Sequence, residues 1–150
     1  MTRSNRIKCI AKIAESREND AALVLGGSQR QMAEHQARLL QLQDFQGEYS
    51  NLLKEQGANG IAVSQLLGFQ NFLAVLNQTI CLQGKQLENS RRHVECKRNL
   101  WLASKTRLEV LNKVIKRFHI QELYKQNKKE QKECDDIAQA MSTTRKSSQW

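Results

Sequence analysis

Residues 66–118 read LLGFQNFLAVLNQTICLQGKQLENSRRHVECKRNLWLASKTRLEVLNKVIKRF. Steps of seven from the first leucine land on Leu66, Leu73, Ile80, Leu87, Val94, Trp101, Leu108 and Ile115, an unbroken apolar line of the kind that forms one position of a coiled-coil seam. The companion line is Phe69, Leu76, Gln83, Ser90, Lys97, Ser104, Leu111 and Phe118, apolar at both ends and polar in the middle. One line is dry throughout and the other half wet. Proline is absent from the chain, and Gly68 and Gly84 are the only glycines after Gly60, so a single long helix is expected from about residue 64 to about 138.

Upstream, the same periodicity runs through Ile7, Ala11, Ala14, Glu18, Ala21, Leu25, Ser28, Met32, His35, Leu39, Leu42, Gln46, Tyr49 and Leu53. This predicts a first helix over about residues 5–56. Alanine dominates its first half and leucine with tyrosine its second, so packing should strengthen toward its C-terminal end. Gly26-Gly27 costs roughly 1 kcal/mol per glycine relative to alanine, but the heptad phase is unchanged across the pair and the helix is expected to continue. Gly57-Ala58-Asn59-Gly60 is the one clear break: Gly57 suits a left-handed helix end, and Ser64 can cap the second helix. The turn is placed at residues 57–63.

Two seams joined by a short break make an antiparallel hairpin. Folding the chain about residues 58–61 sets Ile7 opposite residues near 108–115, so the second helix should run out of partner after about Phe118. The seam also loses its apolar character there, at Glu122, Lys125 and Lys129. The expected fold is therefore all-α: a single long two-helix antiparallel coiled-coil hairpin with a projecting C-terminal helix or a disordered tail. Residues 139–150 read as a polar tail, and its terminal Trp150 has no evident site.

Composition bounds the function. Aromatic residues make up 5% of the 150 residues and proline is absent, and a charged fraction of 26% accompanies the heptads, which argues for a helical rod rather than a large globular core; net charge is +9. Residues 1–60 hold 8 Lys+Arg against 7 Asp+Glu, while residues 61–150 hold 16 against 8. The basic excess thus sits on the second helix, where Arg91, Arg92, Lys97, Arg98, Lys105 and Arg107 form a candidate stripe for an acidic protein surface, nucleic acid or an anionic membrane.

No glycine-rich phosphate loop, nucleophile elbow or metal-spaced histidine pair is present, and the chain reads as non-enzymatic, without cofactor or metal. His35 falls on the seam as a packing residue, whereas His93 and His119 read as solvated. Cys9, Cys81, Cys96 and Cys134 are widely spaced and read as reduced thiols. No apolar run approaches the ~20 residues of a membrane span, and residues 1–8 lack the apolar core of a signal peptide, so a cytoplasmic location is expected.

Near the turn the apolar surface is wider than a two-helix seam requires. Leu42, Phe45, Tyr49, Phe72 and Leu76 form a candidate exposed patch, the kind of surface that marks a protein interface. Phe72 stands at the edge of the stripe beside the seam residue Leu73, so the patch is expected to be separable from the hairpin core by mutation.

Several of these residues recur in order as Phe45-Gln46-x-Glu48-Tyr49, Gly57-Ala58-Asn59-Gly60-Ile61, Phe69-Gln70-x-Phe72-Leu73-x-x-Leu76, Trp101 and Glu130-Gln131-Lys132-x-x-x-Asp136. In this pattern the chain resembles the flagellar FliJ family over its whole length. The resemblance implies a stalk-like hairpin of the flagellar type III export apparatus, seated in the ring of the export ATPase. It also implies that Leu42, Phe45, Tyr49, Phe72 and Leu76 contact the cytoplasmic part of the export gate protein FlhA, that the basic stripe faces the ATPase, and that the ATPase regulator and export chaperones are further partners. It places the protein in the cytoplasm, at the inner face of the membrane at the flagellar base. Arg38, Thr79 and Gln83 share the patch's face but depart from the family's commoner residues. Two alternatives stay open: the stalk of a non-flagellar type III secretion system, and a basic coiled-coil arm that binds nucleic acid. The latter is disfavoured because Trp101 is the one aromatic residue between Lys85 and Arg117 and it sits on the seam.

Overall fold

The computed structural model describes residues 2–148, which form two long helices packed against each other: α1 (Arg3–Ala58) and α2 (Val63–Ser148). No strand occurs among the described residues. On α1, every position of the heptad series from Ile7 to Leu53 is buried or half-buried, and the series extends to Ser4 and Gln56. On α2 both seam lines are withdrawn from solvent from Phe69 to Phe118, the polar positions Gln83, Ser90, Lys97 and Ser104 included. Side-chain size does not decide which residues enter this seam; the period does.

Three local boundaries differ from the sequence reading. α1 continues through Gly57, and Gly60 carries the positive φ, at 81°, with its N–H donating to the Gly57 carbonyl (3.3 Å). α2 begins at Val63, one residue before Ser64, and the Ala62 carbonyl accepts the Leu66 N–H (3.1 Å), so Ser64 lies within the first turn rather than capping it.

The third difference is larger. Helix persists through the segment expected to be a polar tail, as far as Ser148; Trp150 lies outside the described residues. Its hydroxyls fold back onto the backbone: Thr143 donates to the Gln139 carbonyl (2.9 Å), Thr144 to that of Ala140 (2.9 Å) and Ser148 to that of Arg145 (3.0 Å). Arg145 and Lys146 occupy the last turn, where cations are favoured by the helix dipole.

The chain divides into two compact units. One spans Glu18–Ala103 and includes the turn; its seam buries Leu25, Leu76, Leu87 and Val94. Gly26 and Gly27 lie within α1 there without breaking it, and a Cβ added at either would meet nothing within 4 Å. The other unit joins residues up to Arg17 to those from Ser104 onward. Here α1 offers small residues, Ala11 and Ala14, both buried. Leu108, Leu111, Val114, Ile115 and Phe118 supply the bulk on α2. From Leu123 to Ser148 every residue is exposed.

Candidate protein interface

Tyr49 is the hub of the turn-proximal end. Its position on the α1 seam directs the ring toward α2, where it lies 4.4 Å from the Phe72 ring and 5.3 Å from that of Phe69, centroid to centroid. Phe45, one turn earlier on α1, stacks at 6.2 Å on Tyr49 and meets Phe72 edge-on at 6.1 Å. Offset and edge-to-face contacts of this kind add about 0.5–1.5 kcal/mol per pair beyond area burial. The cluster therefore ties the two helices together. It also faces water: Phe45 is 46% exposed and Phe72 40%.

The five residues of the sequence-derived patch divide accordingly. Phe45 and Phe72 are exposed, Leu42 and Tyr49 are half-buried, and Leu76, at 7% exposure, belongs to the core. Leu76 is therefore withdrawn from any partner. Phe69, the fourth ring, was legible as a seam residue, but its contact with Tyr49 depends on the register of α1 against α2. Phe72 packs on Tyr49, so it is not independent of the fold as its edge position had suggested.

The basic positions differ in their surroundings. Arg91 and Arg92 both pair with Glu88 (3.8 and 3.9 Å), and Arg98 pairs with Glu95 (3.8 Å), two turns further along the same helix. Such exposed pairs contribute little to stability but reduce the charge offered outward. Lys97 is half-buried on the seam and leaves the stripe. Lys105 and Arg107 belong to the unit that contains Ser104 onward, where Arg107 borders an open cavity of about 180 Å³ beside Ile10, Ile13 and Arg17. Among the described residues no group of His, Cys, Asp or Glu could hold a metal ion, and the four cysteines are free and exposed. None of the helices, over the described residues, is long and apolar enough to cross a membrane.

Comparison with known proteins rests on nearly the entire chain, since the family model described as "Flagellar FliJ protein" matches residues 3–147. The chain belongs to the FliJ family. Two FliJ relatives, each called "Flagellar FliJ protein", come from Escherichia coli (strain K12) and Salmonella typhi. Each is 28% identical over 139 residues, covering 93% of this chain and 95% of the relative. No solved structure matches the chain.

In this FliJ-family hairpin the polar seam positions pair across the helices. The Trp101 indole N–H donates to Glu18 Oε1 (2.9 Å), which accounts for a carboxylate on the α1 seam. Gln83 Nε2 donates to the His35 carbonyl (3.2 Å) and lies 3.1 Å from His35 Nδ1, and Gln46 is hydrogen-bonded to Asn77. Among the described residues, no buried side-chain nitrogen or oxygen lacks a partner.

Sequence reasoning foresaw none of these pairings, and a further one lies at the start of α1. Ser4 donates its hydroxyl to Glu122 Oε2 (2.7 Å) and its backbone N–H to Oε1 (3.3 Å), so a carboxylate from α2 caps the first turn of α1. Thr2 accepts the Asn5 N–H (3.4 Å) and completes the cap. The pairing of the helices thus extends past Phe118, where it was expected to stop. The Ser4 hydroxyl holds the Glu122 carboxyl below its usual range, aided by the Ser4 backbone N–H, His119 and Lys8 and opposed in part by desolvation. The signal was present in the pattern Thr2-x-x-Asn5 and in a serine at a seam position.

Proposed function

We propose that the protein is a non-enzymatic stalk and adaptor of the flagellar type III protein-export apparatus, working in the cytoplasm at the inner face of the membrane. Its hairpin sits in the export ATPase ring, and its aromatic cluster engages the cytoplasmic domain of the export gate protein FlhA. The ATPase regulator and export chaperones complete the set of partners. The observation that carries this reading is the cluster of Phe45, Tyr49, Phe69 and Phe72, with two of its rings 40% or more exposed. Aromatic side chains that are rigidly held yet half-exposed are the usual anchors of protein interfaces.

A stalk needs stiffness, which two long helices with one seam supply, and a surface that grips without chemistry. The arginines of α2 favour acidic surfaces of the ring, through contacts that weaken as salt rises. The nucleic-acid alternative is disfavoured because Trp101 is half-buried on the seam, with its indole N–H donating to Glu18 (2.9 Å).

The test is capture of the gate's cytoplasmic domain by the purified protein and by a Phe45→Ala/Phe72→Ala variant. Loss of binding on the scale of about 2 kcal/mol or more, with helicity retained by circular dichroism, is expected. Undiminished capture by the variant would remove the aromatic cluster from the interface.

A further inference from the structure

After Phe118 the apolar positions of α2 change sides. The seam phase runs on through Glu122, Lys125, Lys129, Lys132 and Asp136, all of them charged. A second line, two residues away and so about 200° around the helix, runs through Ile120, Tyr124, Asn127, Gln131, Cys134, Ala138 and Met141 at alternating steps of four and three. Leu123 and Ile137 border it. The five large apolar side chains of this stripe, Ile120, Leu123, Tyr124, Ile137 and Met141, are between 46% and 68% exposed. α1 does not cover them: its first turn meets α2 at Glu122 through Ser4, and from Leu123 to Ser148, roughly 40 Å of helix at 1.5 Å per residue, every residue is exposed. A heptad stripe on a helix without a neighbour is one half of a coiled coil.

Charge identifies the other half. Lys125, Lys128, Lys129 and Lys132, with the single Glu130, make the first part of the stretch basic, and Glu133, Asp135 and Asp136 make the next part acidic. No ion pair joins the two runs among the described residues. A segment whose halves carry opposite charge matches its own reverse. In an antiparallel pair of copies lysine meets aspartate, whereas a parallel pair sets lysine on lysine and aspartate on aspartate. The apolar residues follow the same symmetry, with Ile120, Leu123 and Tyr124 at one end of the stripe and Ile137, Ala138 and Met141 at the other. Asn127 and Gln131 lie between them as polar layers, which fix register in a coiled coil.

We infer that the C-terminal helix is a self-association site, on which two copies of this chain pair antiparallel along residues 120–141. Tyr124 of one copy lies beside Met141 of the other and Lys128 beside Asp135, each contact made twice across a two-fold axis. The site belongs to the unit that runs from Ser104 onward and the aromatic cluster to the other unit, so self-association does not rest on the proposed gate interface. It covers the stripe in the free protein, and any other protein that takes this helix must displace the second copy.

Sedimentation equilibrium of the full chain over a range of concentrations tests this, with variants at exposed positions: Tyr124→Glu/Met141→Glu, Lys128→Glu, the charge swap Lys128→Glu/Asp135→Lys, and Phe45→Ala/Phe72→Ala. The parent is expected to show a monomer–dimer equilibrium. Tyr124→Glu/Met141→Glu should weaken it by about tenfold or more with helicity retained by circular dichroism, and Lys128→Glu several-fold, the latter loss shrinking as salt rises. The charge swap should restore association to about the parent level, and Phe45→Ala/Phe72→Ala should dimerise as the parent does. A parent that stays monomeric at about 1 mM overturns the inference. So does a Tyr124→Glu/Met141→Glu variant that associates like the parent, or a dimer lost only in Phe45→Ala/Phe72→Ala, which would put self-association on the aromatic cluster. A charge swap that fails to restore what Lys128→Glu removes overturns the antiparallel pairing.

Discussion

In the unit Glu18–Ala103 the helices meet through four aromatic rings at centroid separations of 4.4–6.2 Å, whereas in the unit built from the chain's two ends α1 contributes Ala11 and Ala14 to the same kind of seam. The alanines are almost fully covered. The rings are not all so: Tyr49 and Phe69 stand on the seam and are half-buried, while Phe45 and Phe72 stand beside it, where a two-stranded seam has no third wall to cover them. Exposed apolar area here is therefore a consequence of position on the helix. The end unit closes differently: a helix terminus is capped by Glu122, so its specificity lies in hydrogen bonds rather than in area.

This contrast can be broken most sharply at Tyr49. Because its ring touches Phe45, Phe69 and Phe72, Tyr49→Ala should cost about 2–3 kcal/mol of stability, near the lower end for large aromatic truncations since the residue is half-buried. Phe45→Ala, which removes an outer ring, should cost about 1 kcal/mol. Denaturant titrations of both variants decide the matter: equal losses would mean that the cluster has no hub.

The converse experiment enlarges a residue in the end unit. Ala14→Leu puts three extra carbons into a buried position and should destabilise by about 1–3 kcal/mol through overpacking. Stabilisation on thermal melting would show that the seam there has slack, and that alanine is not required for close approach of the helices.

The smallest expected effect concerns pH. Glu122 is held below the usual carboxyl range in the folded state, so its contribution is fully present above the pKa of an unfolded glutamate and is lost as pH falls through the lower folded value. Glu122→Gln should remove that acid-limb dependence and speed amide exchange in the first turn of α1, leaving the aromatic unit unchanged. Identical acid titrations of parent and variant would mean that the Ser4–Glu122 pairing contributes nothing to stability.

Most of the architecture was legible in advance because a coiled coil writes its tertiary contact into its local period. Stepping by seven from Ile7 and Ala11 on α1 and from Phe69 and Leu73 on α2 identifies which residues are withdrawn from water, including misfits such as Glu18, His35 and Lys97, since the helix places a side chain on the seam by its phase and not by its polarity. The family was legible too, from motifs around the rings and the turn. What the period leaves open is the register of one helix against the other. Register alone sets Trp101 against Glu18, Gln83 against His35 and Ser4 against Glu122, turning a seam that looked half wet into one whose buried polar groups are matched. It likewise sets Phe72 on Tyr49. Period is a property of one helix, and burial on the flank is a property of two. The hydroxyls of the last turns of α2 were read as tail-forming by type, yet the helix runs to Ser148 with Thr143 and Thr144 bonded to the carbonyls four residues earlier.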